Sequence, residues 1–169
     1  HISGTFRSND TDDDFMGFVW SFLNPINPID TFDAWLFDWK QRDQDAAREG
    51  MSVCRLNGYI PNSYPGVDHR QFWDHTPSPG FSVVANNWGS SGWGWRTNHD
   101  FDLYLTYSKA TIYVDGALKF EINDCFKPGK FGFYNLSQSD CIYSNFQYEL
   151  FVDYMYPDQG ACIGNPASF

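Results

Sequence analysis

The sequence predicts an all-β fold, an antiparallel two-sheet jelly-roll sandwich with long loops rich in aromatic residues, Gly and Pro. Three observations carry this expectation. Aromatic residues make up 20% of the 169 positions, and Phe, Tyr and Trp favour pleated, half-buried surfaces. Short apolar segments recur along the whole chain, separated by Gly, Pro, Asn and Ser breakers. Helical periodicity is nearly absent, and many short strands with turn punctuation indicate two packed sheets.

The elements follow in order. "ISGTFR" and "FMGFVWSF" read as strands on either side of the acidic run "SNDTDDDF". "FDAWLFDWK" and "MSVCRL" flank the polar stretch "KQRDQDAAREG", a loop with one turn of helix within residues 41–48. "FSVVAN" and "FDLYLTY" flank a Trp-rich loop. In "ATIYVDGALKFEI" the pair Asp115-Gly116 separates two alternating runs; Asp-Gly tolerates the positive φ of a tight turn, so this is a hairpin. "KFGFYNL" and "CIYSNFQYELFV" close the fold. The stretch from "NGYIPNSYPGVDHR" to "NNWGSSGWGWRTNHD" reads as long surface loops, the usual seat of binding on a rigid scaffold. Residues 1–152 form one sandwich domain of ordinary size, and residues 153–169 form a tail or arm tied to it.

The formal net charge of −10, with no basic cluster, argues against a nucleic-acid partner and against an anionic membrane surface. No apolar run approaches the length of a spanning helix. The chain opens at "HISGTF" without Met or a signal-like apolar region, which reads as an internal or processed start. The 4 cysteines permit several pairings, and none of their spacings resembles a zinc or redox motif. Cys125–Cys141 would bridge the ends of "FKPGKFGFYNLSQSD", leaving Cys54–Cys162 to hold the tail; the other pairings stay open. The sequons at Asn9 and Asn135 point with the cysteines to an extracellular glycoprotein, secreted or at a cell surface.

"DDDFMGFVWSF" followed by "FDAWLFDWKQ" resembles the acidic-triplet, strand and "WKQ" pattern of the thrombospondin C-terminal domain, a lectin-like, laminin-G-like sandwich. "GKFGFYNLSQSDCIYSNFQYE" is similar to that family's closing strands, and "FDLYLTYSKATIYVDG" sits where the family has paired strands. The resemblance covers residues 12–149; the middle loops, the cysteine positions and the short first strand depart from the family. It implies calcium at Asp12, Asp13 and Asp14. The residue chemistry agrees, because calcium takes about six to eight oxygen ligands and clustered carboxylates supply them. Successive carboxylates on an extended segment point different ways, so two of Asp10, Asp12, Asp13 and Asp14 are expected to coordinate. The competing reading is a solvated acidic turn that blunts a strand entrance.

Asn98, His99, Asp100 and Asp102 form a second acidic-polar cluster of potential ligands. Trp88, Trp93 and Trp95 with Asn86 and Asn87 suggest sugar binding, with indole faces stacking on pyranose rings and amides bonding hydroxyls; packing is the commoner use of Trp. A retaining glycosidase needs two closely spaced carboxylates, and no ExDxxE pattern is present. His75 or His99 with Tyr107 or Tyr143 is the remaining acid/base option for a polysaccharide lyase-like enzyme. The expected function is a non-catalytic extracellular adhesion module, stabilised by calcium, that recognises a glycan or protein. The alternative is a structural fibre or matrix subunit assembled by strand exchange or tail contacts.

Overall fold

The structure is a computed structural model and describes residues 1–23, 31–59, 70–90 and 92–151. The strands are β1 (Ile2–Ser8), β2 (Phe15–Leu23), β3 (Thr31–Lys40), β4 (Gly50–Tyr59), β5 (Phe81–Asn86), β6 (His99–Leu105), β7 (Lys109–Val114), β8 (Ala117–Asn123), β9 (Lys130–Leu136) and β10 (Cys141–Tyr148). A single turn of helix, α1 (Arg70–Trp73), lies between β4 and β5. The strands form two five-stranded sheets, ordered β10-β1-β6-β7-β8 and β5-β4-β3-β2-β9. This is the all-β, antiparallel two-sheet class expected from the aromatic, punctuated sequence. Residues 41–48 form turns around a Gln44–Ala47 bridge rather than a turn of helix. Much of the expected middle loop (60–69) and the tail (153–169) lie outside the described residues. No helix among the described residues is long and apolar enough to cross a membrane.

The chain divides into two compact units interleaved along the sequence. One comprises Phe6–Asn98 and Pro128–Ile142 and holds the sheet of β2, β3, β4, β5 and β9. Its central strands are buried on both faces, which explains why "FDAWLFDWK" reads as a near-continuous apolar run. On one face Phe18 stacks on Phe37 at 4.8 Å and Trp20 on Trp35 at 6.1 Å. Such offset aromatic pairs contribute about 0.5–1.5 kcal/mol beyond their burial. On the other face Ala34, Leu36, Cys54, Leu56 and Phe81 pack with Phe72 of α1. The same face carries a column of polar groups at Asp38, Lys40 and Ser52, and these build the sites below.

The other unit comprises His1–Thr5, His99–Lys127 and Tyr143–Phe169. The alternation of β6, β7 and β8 buries Phe101, Leu103, Ala110, Ile112, Val114, Phe120 and Ile122. Val114 pairs with Ala117 across the turn, and Asp115 and Gly116 hold φ of 53° and 73°. Two positive φ values are the mark of the tight hairpin turn expected of Asp-Gly.

Candidate functional site

The acidic run is the link from β1 to β2, and it is organised around a lysine. Phe15 pairs with Lys40 in the β2–β3 register, which brings the end of β3 under the run. Lys40 is 0% exposed. Its ammonium donates to Asp14 Oδ1 at 2.8 Å, Asp13 Oδ1 at 3.0 Å, Gln44 Oε1 at 3.0 Å and the Asp13 carbonyl at 3.2 Å. The rings of Trp73 and Phe15 face it at 4.8 and 5.3 Å, within cation–π range. A buried ammonium is tolerated only where paired charges replace its hydration, and Asp13 and Asp14 supply that pairing.

The rest of the loop is held by residues distant in sequence. Buried Gln138 accepts from the Asp14 amide and donates to Ser8 Oγ, both at 2.8 Å. The Trp93 indole donates to the Asp14 carbonyl at 2.9 Å. The Gln41 amide donates to the Asp13 carbonyl at 3.1 Å, and its side chain donates to the Trp93 carbonyl at 3.0 Å. Lys40 and Gln41 of "WKQ" and Gln138 of "SQSD" therefore converge on the acidic triplet. Asp10 and Asp12 lie toward the outside of the loop. Asp10 accepts from the Asp12 amide at 3.2 Å and from the Ser139 hydroxyl, and these bonds, the Ser139 one first, hold its carboxyl below the usual value. One carboxylate oxygen from each of Asp12, Asp13 and Asp14 falls within a 4.8 Å cluster. Two of those three carboxylates are bound to Lys40.

The Trp-rich loop separates into different roles. Trp93 is 1% exposed and packs as a core residue, so it offers no ligand face; its indole N–H is spent on the Asp14 carbonyl. Trp95 is 48% exposed, with the Arg96 guanidinium 4.5 Å over its ring. Trp88 is half-buried, with Arg48 5.4 Å from its ring and the His75 ring at 5.5 Å. Asn87 accepts from the Met51 amide at 2.7 Å, and Asn86 faces the Trp88 amide at 3.5 Å, so both order the loop. Trp88, Arg48, Asp43 and Asp45 line a cleft of about 500 Å³. The residues from "RDQDAAR" were expected only as loop.

A third arrangement lies inside the sheet. Asp38 of β3 stands opposite Ser52 of β4, and both are buried with His75 and Cys54. The Ser52 hydroxyl donates to Asp38 Oδ1. His75 Nε2 lies 3.0 Å from both Ser52 Oγ and Asp38 Oδ2. A nucleophile relay requires the two imidazole nitrogens to serve serine and acid separately; here one nitrogen faces both. Burial alone would depress the His75 pKa, but the charge and hydrogen bond of Asp38, with Asp74, raise it above its ordinary value. Burial pushes the Cys54 thiol well up, and the Asp38 charge adds to the shift. An acid inside the apolar run "WLFDWK" was the sequence signal for this cluster.

The second acidic-polar group, Asn98 apart, lies in the other unit and resolves into separate pairs: His99 Nδ1 with Asp115 Oδ2, the Thr5 hydroxyl with Asp100 Oδ1, and His1 Nε2 with Asp102 Oδ1, each at 2.7 Å. Neither expected disulfide forms, because Cys54 and Cys141 are both thiols. Cys54 points into the sheet's buried face, 3.7 Å from Ser52 Oγ, and the Cys141 sulfur faces the Gln138 carbonyl at 3.7 Å. Cys125 is disulfide-bonded. Of the sequon residues, Asn135 is exposed and donates to the Gln138 carbonyl at 2.7 Å, while the Asn9 amide donates to the Asp140 carbonyl at 3.2 Å. No family model matches the chain, and no curated protein matches it.

Proposed function

We propose that the chain is a non-catalytic extracellular binding module that takes a glycan in the Trp88 cleft. The observation that carries this reading is the cleft's lining: an indole, a guanidinium and two carboxylates. An aromatic face beside a few convergent polar groups suits a polyhydroxylated ring, whose apolar side stacks while its hydroxyls bond. The adhesion-type assignment rests on the resemblance of "DDDF", "WKQ" and "SQSD" to thrombospondin C-terminal motifs; Lys40, Gln41 and Gln138 from these segments meet at the acidic run. Calcium in this reading takes two carboxylates of the run, Asp12 among them, whose oxygen lies within 4.8 Å of those of Asp13 and Asp14.

A glycan array followed by calorimetric titration of the best binder, with and without EDTA, tests the reading. Trp88→Ala is expected to weaken binding at least tenfold, about 1.4 kcal/mol, while leaving the melting midpoint in place. Absence of glycan binding under both conditions overturns the lectin assignment, and binding indifferent to EDTA removes the calcium.

The fibre-subunit reading is favoured by one separate feature. Among the described residues β10 ends its sheet, and on and beyond it Phe146, Tyr148, Leu150 and Phe151 are exposed, Leu150 by 78%. An exposed apolar edge strand is where a neighbouring chain can add a strand.

A further inference from the structure

Asp38, Ser52, Cys54 and His75 have no part in the glycan cleft or the acidic loop. The β3–β4 register places Asp38 opposite Ser52 and Leu36 opposite Cys54. Strand alternation therefore puts the Asp38, Ser52 and Cys54 side chains on one face. His75 reaches that face from the segment after α1, with its backbone in the left-handed region at φ 55°, which histidine enters more readily than most residues. One ligand-type atom from each of Asp38, Cys54 and His75 lies within a 4.8 Å cluster, and all three residues are buried.

A carboxylate oxygen, an imidazole nitrogen and a thiol sulfur form a mixed donor set. Calcium and magnesium take oxygen ligands, whereas zinc and its tetrahedral relatives take this combination. A tetrahedral zinc centre, with bonds of about 2.0–2.3 Å, sets its donors about 3.3–3.8 Å apart. The Asp38 and His75 atoms stand 3.0 Å apart, so the donors reach position through shifts of about 1 Å or less. The Ser52 hydroxyl sits beside both, bonded to Asp38 and 3.0 Å from His75 Nε2.

We propose that Asp38, Cys54 and His75 bind a zinc-class transition-metal ion. The metal–sulfur bond forms as the Cys54 thiol proton leaves to solvent, while Asp38 and neutral His75 donate lone pairs. One dication, one carboxylate and one thiolate make a neutral unit, which removes the main penalty on placing charge in a core. The fourth position falls to the Ser52 hydroxyl or a water. Trp88, 5.5 Å from the His75 ring, also lines the open cleft.

Cobalt(II) tests this, because a cobalt–thiolate bond gives a near-ultraviolet charge-transfer band that oxygen and nitrogen ligands do not. With Cys125 disulfide-bonded, Cys54 and Cys141 are the thiols among the described residues. The full chain carrying Cys141→Ser, stripped with EDTA and kept under nitrogen without any thiol reductant, is titrated with cobalt chloride and then zinc chloride. The expected result is a near-ultraviolet band that saturates at one equivalent, is bleached by zinc, and needs at least tenfold more cobalt in His75→Gln. Absence of the band in wild type, or its loss in Cys141→Ser with circular dichroism unchanged, overturns the proposal. A band unaffected by His75→Gln also overturns it as stated.

Discussion

At 0% exposure, the Lys40 ammonium depends on the groups around it for the solvation that water would otherwise supply. Asp13, Asp14 and Gln44 provide it, and the acidic run is in turn neutralised from below. Lys40→Ala leaves the buried Asp14 carboxylate unpaired, and removing one partner of a buried pair typically destabilises by about 3–5 kcal/mol. Urea unfolding is expected to show a loss of that size, with part of it recovered when Asp14→Asn is added. A loss below about 1 kcal/mol, the range of exposed pairs, would mean that Lys40 is dispensable. The sequence displayed the carboxylates and the "WKQ" motif, but a lysine beside two aromatic residues carries no local mark of burial.

His75 makes a pH prediction in the metal-free protein. It is faced by Asp38 from β3 and Cys54 from β4, with Asp74 next to it in the chain, and its folded pKa lies above the ordinary histidine value of about 6.5. The folded state thus binds this proton more tightly than the unfolded chain. Its contribution is fully present below about pH 6.5 and is lost as pH rises through the raised folded value. In EDTA-treated protein the urea midpoint is expected to fall across that window, and Asp38→Asn is expected to flatten the fall. An identical slope in Asp38→Asn would remove the pair as its cause.

Among the elements, β2 and β3 are the clearest case of sequence and packing agreeing. Their aromatic side chains alternate onto two faces, and both faces are covered, so the strands read as almost continuously apolar. Gly17 sits in this pair opposite Asp38, and a Cβ added there would collide with the Phe37 carbonyl oxygen on β3. Backbone cannot yield as a flexible side chain can. Gly17→Ala is expected to cost about 3 kcal/mol, the upper part of the overpacking range, read as a lowered urea midpoint. A neutral result would show that β2 can shift away from β3. The Asp115-Gly116 hairpin was legible because its turn chemistry is local. The turns of residues 41–48 were less so, because their Gln44–Ala47 bridge and the Glu49 amide bond to Asp43 at 2.7 Å replace the helical bonds that the composition allowed.

At the scale of the whole molecule, a net charge of −10 opposes self-association, while the apolar end of β10 favours it. Sedimentation velocity on the native chain decides between them. The glycan-module reading expects a monodisperse monomer, and discrete higher assemblies that Tyr148→Lys dissolves would establish the fibre reading instead.

The sequence by itself determined the fold class, the strand segments, the hairpin turn and the location of concentrated negative charge, because strand periodicity and turn chemistry act between near neighbours. Which charge meets which was decided only in three dimensions. Lys40 is 26 residues from Asp14 and Gln138 is 124 residues from it; strand register and loop closure bring them together. Asp38, Ser52, Cys54 and His75 meet for the same reason, since a β-ladder places side chains by cross-strand pairing, and pairing is a property of the folded sheet.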